Sequence, residues 1–370
     1  MCIRDSDKTI PYCNIFPRCE DNEDKVFGEV TDTLIDTAID NYASMRGNPV
    51  DASTEIERVV SKRFAVRLNK ARVRKRFRKG HTSRMAIIVK VKDDGSKKLR
   101  SIMDLKRSGA NAAAVVLERV VLPRLGDAVW MMVNFLRALM VMCLWYPGTP
   151  IWSEGNFSVE LVTGDFSDAY YHFRVAEEEH RHCLSPDVPY TPEPAEGEPA
   201  HSGIVMCDTM LLWIHMCFGL KAAPLLWCRF AAAVARMLAG MFDFTESLQQ
   251  LYLDDPLLVV AGTAEQRRYL IAMYFLTVRM LGISMAWHKT ARGLELVWIG
   301  VLFRLDLEKG LVVVTLPEKT VTLLRNEAAA MKSQAVVGVN RLRTFVGKLC
   351  WVSGILPRVR WIARLSLIHI

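Results

Sequence analysis

Tyr252-Leu253-Asp254-Asp255 sits between two strand-like stretches, Leu248 to Leu251 before it and Leu257-Leu258-Val259-Val260 after it. The second stretch is short, apolar and rich in β-branched residues, which reads as a buried strand. Two acidic residues between strands fit a tight hairpin turn, because Asp tolerates turn geometry. Such a turn presents two carboxylates together beside a rigid sheet. Anions that close repel each other unless a divalent cation neutralises them, and hard oxygen ligands of this kind suit Mg²⁺ or Mn²⁺. Taken alone the string is a weak signal, since a solvated turn produces it too.

A second acidic position lies upstream. Val159 to Val162 reads as an apolar strand, and the segment runs through Thr163 and Gly164 to Asp165. An acid at the end of a buried strand is costly to place unless it binds something. If this strand lies beside the hairpin, Asp165, Asp254 and Asp255 converge, enough to hold two metal ions for an in-line phosphoryl displacement. The plain alternative is that Asp165 and Asp168 cap a turn.

The motifs around these acids fall in a known order. Arg100 to Arg107 reads Arg-Ser-Ile-Met-Asp-Leu-Lys-Arg, with Asn111 following, and Leu122-Pro123 comes next. Asp165-Phe166-Ser167-Asp168-Ala169-Tyr170-Tyr171, Phe218-Gly219-Leu220-Lys221-Ala222-Ala223-Pro224 and Tyr252 to Asp255 succeed each other. Beyond them lie Gly282, Lys289, Val297-Trp298-Ile299-Gly300 and the segment Leu342 to Pro357. From about Lys90 to about Leu365 the chain resembles the reverse transcriptase domain of retroelements. It is nearest in character to the long-terminal-repeat, retrovirus-like and tyrosine-recombinase groups.

That resemblance implies an α+β right-hand polymerase, with fingers, a palm carrying a ferredoxin-like antiparallel sheet, and a helical thumb. It implies an N-terminal extension over 1–50, an N-terminal helix and fingers over 51–121, a palm with further fingers elements over 122–310, and the thumb over 311–370. A Pro-rich insert at 186–200 is expected as a solvent loop. The implied activity is RNA-directed DNA synthesis on a primed RNA or DNA template, with two Mg²⁺ ions (or Mn²⁺) on Asp165, Asp254 and Asp255. Lys289 would protonate the leaving pyrophosphate as a general acid.

Arg100, with Lys90 or Lys92, would meet the triphosphate of a deoxynucleoside triphosphate, where Arg can grip bidentately. Asp168 and Ala169 would offer backbone N–H groups to the phosphates. Tyr170 would exclude a 2′-hydroxyl, and Phe218 would pack near the sugar and base. Tyr171 reads as core, because neighbours on a strand face opposite ways. Trp298, Ile299 and Gly300 would hold the primer end, and Gly347 and Trp351 would track the duplex. Leu342, Phe345, Val346, Leu349 and Cys350 recur at helical spacing, so most of that stripe is expected as core.

Composition bounds the rest. At 370 residues the chain can bury a substantial core and hold more than one subdomain. A net charge of +8 suits a phosphate-rich partner. The densest basic run is Arg72, Arg74, Lys75, Arg76, Arg78 and Lys79 around Phe77. It reads either as a surface that steers RNA or DNA or as a plain solvated segment. The nine cysteines lack Cys-x-x-Cys spacing and read as reduced core residues of an intracellular protein, cytoplasmic or nuclear. His180-Arg181-His182-Cys183 lacks a second ligand pair at zinc spacing and is expected as a loop.

Ala128 to Tyr146 approaches membrane-spanning length, but Asn134 and Arg137 interrupt it, so a buried helix and no membrane partner are expected. Leu34 to Tyr42 suggests an amphipathic helix, Thr54-x-x-Glu57 and Thr263-x-x-Gln266 read as capping boxes, and Asp94-Gly95 joins two fingers strands. Met1 to Ser6 is too polar for a secretory signal. Those residues and Leu365 to Ile370 read as adaptor translation, which would make this a fragment. The competing reading is a catalytically decayed or domesticated copy that only binds nucleic acid. An RNA-dependent RNA polymerase fits less well because of the ring at Tyr170.

Overall fold

The computed structural model describes residues 9–10, 13, 15–18, 33–92, 94–145, 157–188 and 208–355. In chain order the elements are β1 (Thr9–Ile10), α1 (Ala43–Arg46), α2 (Pro49–Ser61), β2 (Ala65–Asn69), α3 (Lys70–Arg76), β3 (Met85–Val91), β4 (Lys97–Met103), α4 (Ala110–Ala113), β5 (Val115–Val116), α5 (Leu125–Trp145), β6 (Phe157–Thr163), β7 (Leu184–Pro186), β8 (Thr209–Trp213), α6 (Ala223–Ala239), β9 (Ser247–Tyr252), β10 (Asp255–Thr263), α7 (Ala264–Met280), β11 (Ala291–Gly293), β12 (Glu295–Trp298), β13 (Val301–Asp306), β14 (Leu311–Thr315), α8 (Glu318–Lys332) and α9 (Val339–Val352). Helix and sheet are mixed along the chain, as the α+β expectation requires. The residues cluster into two compact units, Met1–Val121 with Asp168–Phe230, and Leu122–Ser167 with Ala231–Ile370.

In the first unit, β2, β8 and β7 form one antiparallel sheet in the order β2-β8-β7, and β3 pairs with β4 as a hairpin. The α2 helix lays Ile56 and Val59 against β2 and β4, in a core that also holds Met85, Met103, Tyr171 and Trp213. The β3–β4 turn contains Gly95 at φ +77, and Asp94 Oδ1 accepts from the Ser96 N–H at 2.8 Å. This is the hairpin that Asp94-Gly95 signals.

The second unit is built on an antiparallel sheet in the order β11-β6-β10-β9. The α5 helix buries Met131, Met132, Phe135, Leu136 and Leu139 in one core with Val159, Leu161, Leu257 and Val259. Its stretch Leu125–Met142 is long and apolar enough to cross a membrane by length and composition alone. Only about a third of that stretch is buried, so α5 has one core face and one exposed face, not the full burial expected. The α7 helix packs on β10 and β6, so β10 is buried almost throughout. Thr263 opens α7 with the full capping box, its hydroxyl accepting from the Gln266 N–H, and Gly282 at φ +78 follows the end. A second sheet, β12-β13-β14, carries α8 and α9 after it in sequence.

Several expectations give way. No helix covers residues 33–42. Asp36 Oδ1 captures the Ala38 N–H at 2.8 Å, and the Asn41 side chain holds the distant Met85 N–H and Pro186 carbonyl, so one local and two long-range side-chain bonds keep the segment from a helix. Thr54 lies inside α2, donating back to the Val50 carbonyl; Pro49 starts that helix instead. Residues 311–315 are strand, not thumb helix, because β13 offers them an open edge. Pro186, Asp187 and Val188 are buried, so the expected solvent loop does not begin at Pro186, and 189–207 lie outside the described residues.

His180 to His182 end a short 3-10 turn rather than a loop, and both imidazoles are buried. His182 Nδ1 faces His81 Nδ1 at 2.7 Å. Cys13, Cys183, Cys217, Cys228 and Cys350 are free thiols. Burial pushes Cys183 up to about 12, which keeps it an inert core thiol.

Candidate functional site

In the second unit the acids are gathered by backbone pairing. Thr163 stands opposite Leu257, so the end of β6 runs beside the start of β10. Past the strand, the Phe166 N–H donates to the Asp254 carbonyl at 2.8 Å, and the Thr163 hydroxyl donates to the Pro256 carbonyl at 2.9 Å. On the other side the Ala286 N–H donates to the Asp165 carbonyl at 2.9 Å. Asp165 is therefore fixed between the hairpin and the segment before Lys289. Its side chain is buried, and the Lys289 ammonium donates to both of its oxygens, at 2.7 Å for Oδ1.

The hairpin is tighter than the two apolar runs suggest. Tyr252 pairs with Asp255, so the turn consists of Leu253 and Asp254, and Asp255 is the first residue of β10. Leu253 carries the reversal at φ +53, a conformation L side chains rarely adopt. The Asp255 carbonyl accepts from the Trp298 indole N–H at 3.0 Å, and the Tyr252 and Trp298 rings meet edge to face at 6.3 Å.

Carboxylate oxygens are the donors a hard divalent cation wants. Among the described residues, however, no three His, Cys, Asp or Glu side chains stand together as a metal cage. A cation at Asp165 would have to displace the Lys289 ammonium. The residues fit such an ion in kind.

The expected primer contacts sort differently. Trp298 is 1% exposed, so its side chain is core and cannot itself touch a primer. Ile299 and Gly300 form the two-residue turn between β12 and β13, both with positive φ, +43 and +81. That is the hairpin turn that matches strand twist, but Ile pays backbone strain in it. Gly300 lets the Trp351 ring approach; a Cβ there would lie 3.1 Å from it. Gly347 faces open space on α9, and in the expected stripe only Val346 is fully buried.

In the first unit the expected nucleotide residues come together. The Tyr170 and Phe218 rings meet at 5.1 Å, and the Arg100 guanidinium lies 5.5 Å from the Phe218 ring centre. Arg100 stands opposite Ile88 and Lys90 opposite Lys98, which puts Lys90 and Arg100 on the same face of the hairpin. Tyr171 is a buried core residue stacked on Phe64 at 4.4 Å, though it sits on a 3-10 turn and not on the expected strand.

Backbone geometry explains the glycine beside Phe218. Gly219 has φ +106, and a Cβ there would stand 2.0 Å from the Met103 carbonyl oxygen. The Phe218 carbonyl accepts from the Met103 N–H at 3.0 Å, tying this turn to the end of β4. Asn111 holds the turn from the other side, donating to the Gly219 carbonyl and accepting from the Lys221 N–H.

Asp168 precedes Ala169 in the left-handed region, at φ +55. Its carboxylate accepts from Arg58 Nη1 at 3.0 Å and from Lys62 Nζ at 2.5 Å. Burial would raise this carboxyl, but the Lys62 hydrogen bond and the Arg58 charge outweigh it and hold it below the usual range. Sequence reasoning missed Arg58 and Lys62. The signal was available, since Glu55, Arg58 and Lys62 fall on one face of α2.

No family model matches the chain, and no curated protein matches it in sequence. Solved structures do match. A foamy viral protease-reverse transcriptase bound to double-stranded DNA aligns at 11% identity and a TM-score of 0.50, over 86% of this chain and 41% of that one. A foamy viral protease-reverse transcriptase bound to an RNA/DNA hybrid aligns at 10% identity and a TM-score of 0.52, over 90% of this chain and 36% of that one. This chain thus spans well under half the length of either. At such low identity the likeness is one of fold alone, and that fold is reverse-transcriptase-like.

Proposed function

We propose that the protein is an RNA-directed DNA polymerase of a retroelement, adding deoxynucleotides to a primer 3′-hydroxyl on an RNA or DNA template. The observation that carries this is the β6–β10 pairing, which sets Asp165 beside the Tyr252–Asp255 hairpin in a reverse-transcriptase-like fold. In this reading the first unit supplies fingers and the second supplies palm and thumb.

Asp165, Asp254 and Asp255 would hold two Mg²⁺ ions, with Mn²⁺ as a substitute. Bound there, the metal supplies Lewis acidity at the primer hydroxyl and neutralises charge on the departing pyrophosphate. Lys289 donates a proton to that pyrophosphate. Arg100, with Lys90 on the same hairpin face, grips the triphosphate. Ala169 and Asp168 present backbone N–H groups to it. Tyr170, braced by Phe218, fills the space a 2′-hydroxyl would need. Ile299 and Gly300 support the primer end, and Gly347 and Trp351 face the duplex.

Arg72, Arg74, Lys75, Arg76, Arg78 and Lys79 are all exposed and suit the steering of a polyanion. The buried free thiols fit an intracellular setting, cytoplasmic or nuclear. A second reading, a copy that binds nucleic acid without catalysis, draws on the engagement of both Asp165 oxygens by Lys289.

The test is primer extension on a homopolymeric RNA template with a DNA primer, in Mg²⁺ and then Mn²⁺. Deoxynucleotide addition that disappears when Asp254→Asn and Asp255→Asn are combined supports the polymerase. Primer binding without addition supports the second reading. Tyr170→Ala should raise ribonucleotide incorporation; unchanged sugar discrimination would remove Tyr170 from its role.

A further inference from the structure

We propose that α2 fixes the nucleotide-binding turn through the chain Glu55–Arg58–Asp168, with Lys62 as a second hold, and that Arg58 is the positioning residue. This rests on the polymerase reading of the Asp168–Tyr170 turn.

Asp168 is one of few non-glycine residues described here with a left-handed backbone. Asp tolerates that region better than most side chains, usually by bonding locally. Here it does not cap its own turn. Its carboxylate crosses instead to α2, with Oδ1 on Arg58 and Oδ2 on Lys62. Its carbonyl meanwhile accepts from the Tyr171 N–H at 2.8 Å, closing the turn that carries Ala169 and Tyr170.

Arg58 is itself held. Glu55 accepts from its Nε at 2.8 Å and from its Nη2 at 3.0 Å, leaving Nη1 for Asp168. The Glu55 side chain is only 3% exposed, so the bidentate guanidinium is what satisfies it in place of water. Ile56 and Val59, fully buried, lock the same helix to the core. The guanidinium therefore has one orientation, and it reaches Asp168 from a rigid support. A lysine at this position has all its donors on one nitrogen, so it lacks the planar fork that grips Glu55 with two donors while a third reaches Asp168. An ordinary surface ion pair has neither the buried anchor nor the left-handed partner.

The consequence is a turn whose backbone N–H groups and Tyr170 ring are set before the nucleotide arrives. Loss of Arg58 should loosen it and weaken nucleotide binding without touching the metal-binding acids.

Two measurements on Arg58→Ala and Arg58→Lys test this. One is hydrogen exchange over residues 168–173. The other is the equilibrium affinity for a complementary deoxynucleoside triphosphate on a dideoxy-terminated primer–template, which needs no turnover. Both variants should exchange faster in that segment and bind the nucleotide about tenfold more weakly, the scale of one charge-assisted hydrogen bond. Unchanged exchange in a folded variant overturns the clamp. Faster exchange with unchanged affinity overturns its part in nucleotide binding. A wild type that binds the nucleotide but never extends a primer sinks the polymerase reading alone. A wild type that does not bind it sinks both.

Discussion

Two aspartates on one short segment are held in opposite ways. Asp165 rests both oxygens on a single lysine, Lys289, whose side chain is 43% exposed. Asp168 meets two cations, and one of them, Arg58, is gripped in turn by a nearly inaccessible Glu55. Asp165 is buried, so the half-exposed ammonium can leave it only as another cation takes its place. Breaking a pair that leaves a buried carboxylate uncompensated costs about 3–5 kcal/mol. The first acid suits exchange of one cation for another; the second suits permanence. The proposed polymerase would use both, a place where metal enters and a turn that does not move.

Substitution at each acid should separate the two most widely. Asp165→Asn should reduce primer extension by about 10³-fold or more, because it removes a charge from the proposed metal site. Asp168→Asn should leave kcat within a few-fold and raise KM for the nucleotide about tenfold. Equal losses in both would erase the distinction. The fixed side can also be attacked through backbone. Gly219→Ala forces a side chain into a left-handed position against the Met103 carbonyl. It should cost roughly 3 kcal/mol of stability, combining strain and overpacking. A melting temperature equal to wild type would show that the Phe218 turn can shift.

Much of this was legible in the sequence for physical reasons. Strand period and turn chemistry exposed the Tyr252–Asp255 hairpin, and a reciprocal capping box announced α7 at Thr263. Local rules failed where distant partners decide. Nothing near Asn41 reveals that it holds extended chain against Met85 and Pro186. Nothing near Trp298 tells that its indole is spent on the Asp255 carbonyl. The Arg58–Asp168 pair joins residues far apart in sequence, and the charge pattern on α2 reads equally as a solvated face until its partner is seen.

Lys289→Met probes the exchangeable side. Without the ammonium, Asp165 should accept a divalent cation more readily, so Mn²⁺ affinity read by electron paramagnetic resonance should rise about three- to fivefold, within the range for a half-exposed pair. Extension should fall at the same time, because the proposed general acid is gone. Affinity and turnover moving in the same direction would show that Lys289 is not a placeholder for metal.

The smallest effect is the most specific to Asp168. Its folded carboxyl is held below the usual range, so its contribution to stability is complete above the ordinary value of about 3.9. It is lost as pH falls through the lower folded value, where the carboxylate is protonated and Lys62 and Arg58 lose their acceptor. Wild type should therefore melt above Asp168→Asn at about pH 6, and the gap should narrow below about pH 4 and close further down. Asn keeps the size and left-handed tolerance of Asp but not the charge, so a gap that persists at the lowest pH would mean that turn geometry, not the ion pairs, sets the segment. A gap that closes ties the rigidity of Asp168 to the two α2 cations and leaves Asp165, with its single lysine, as the acid free to change partners.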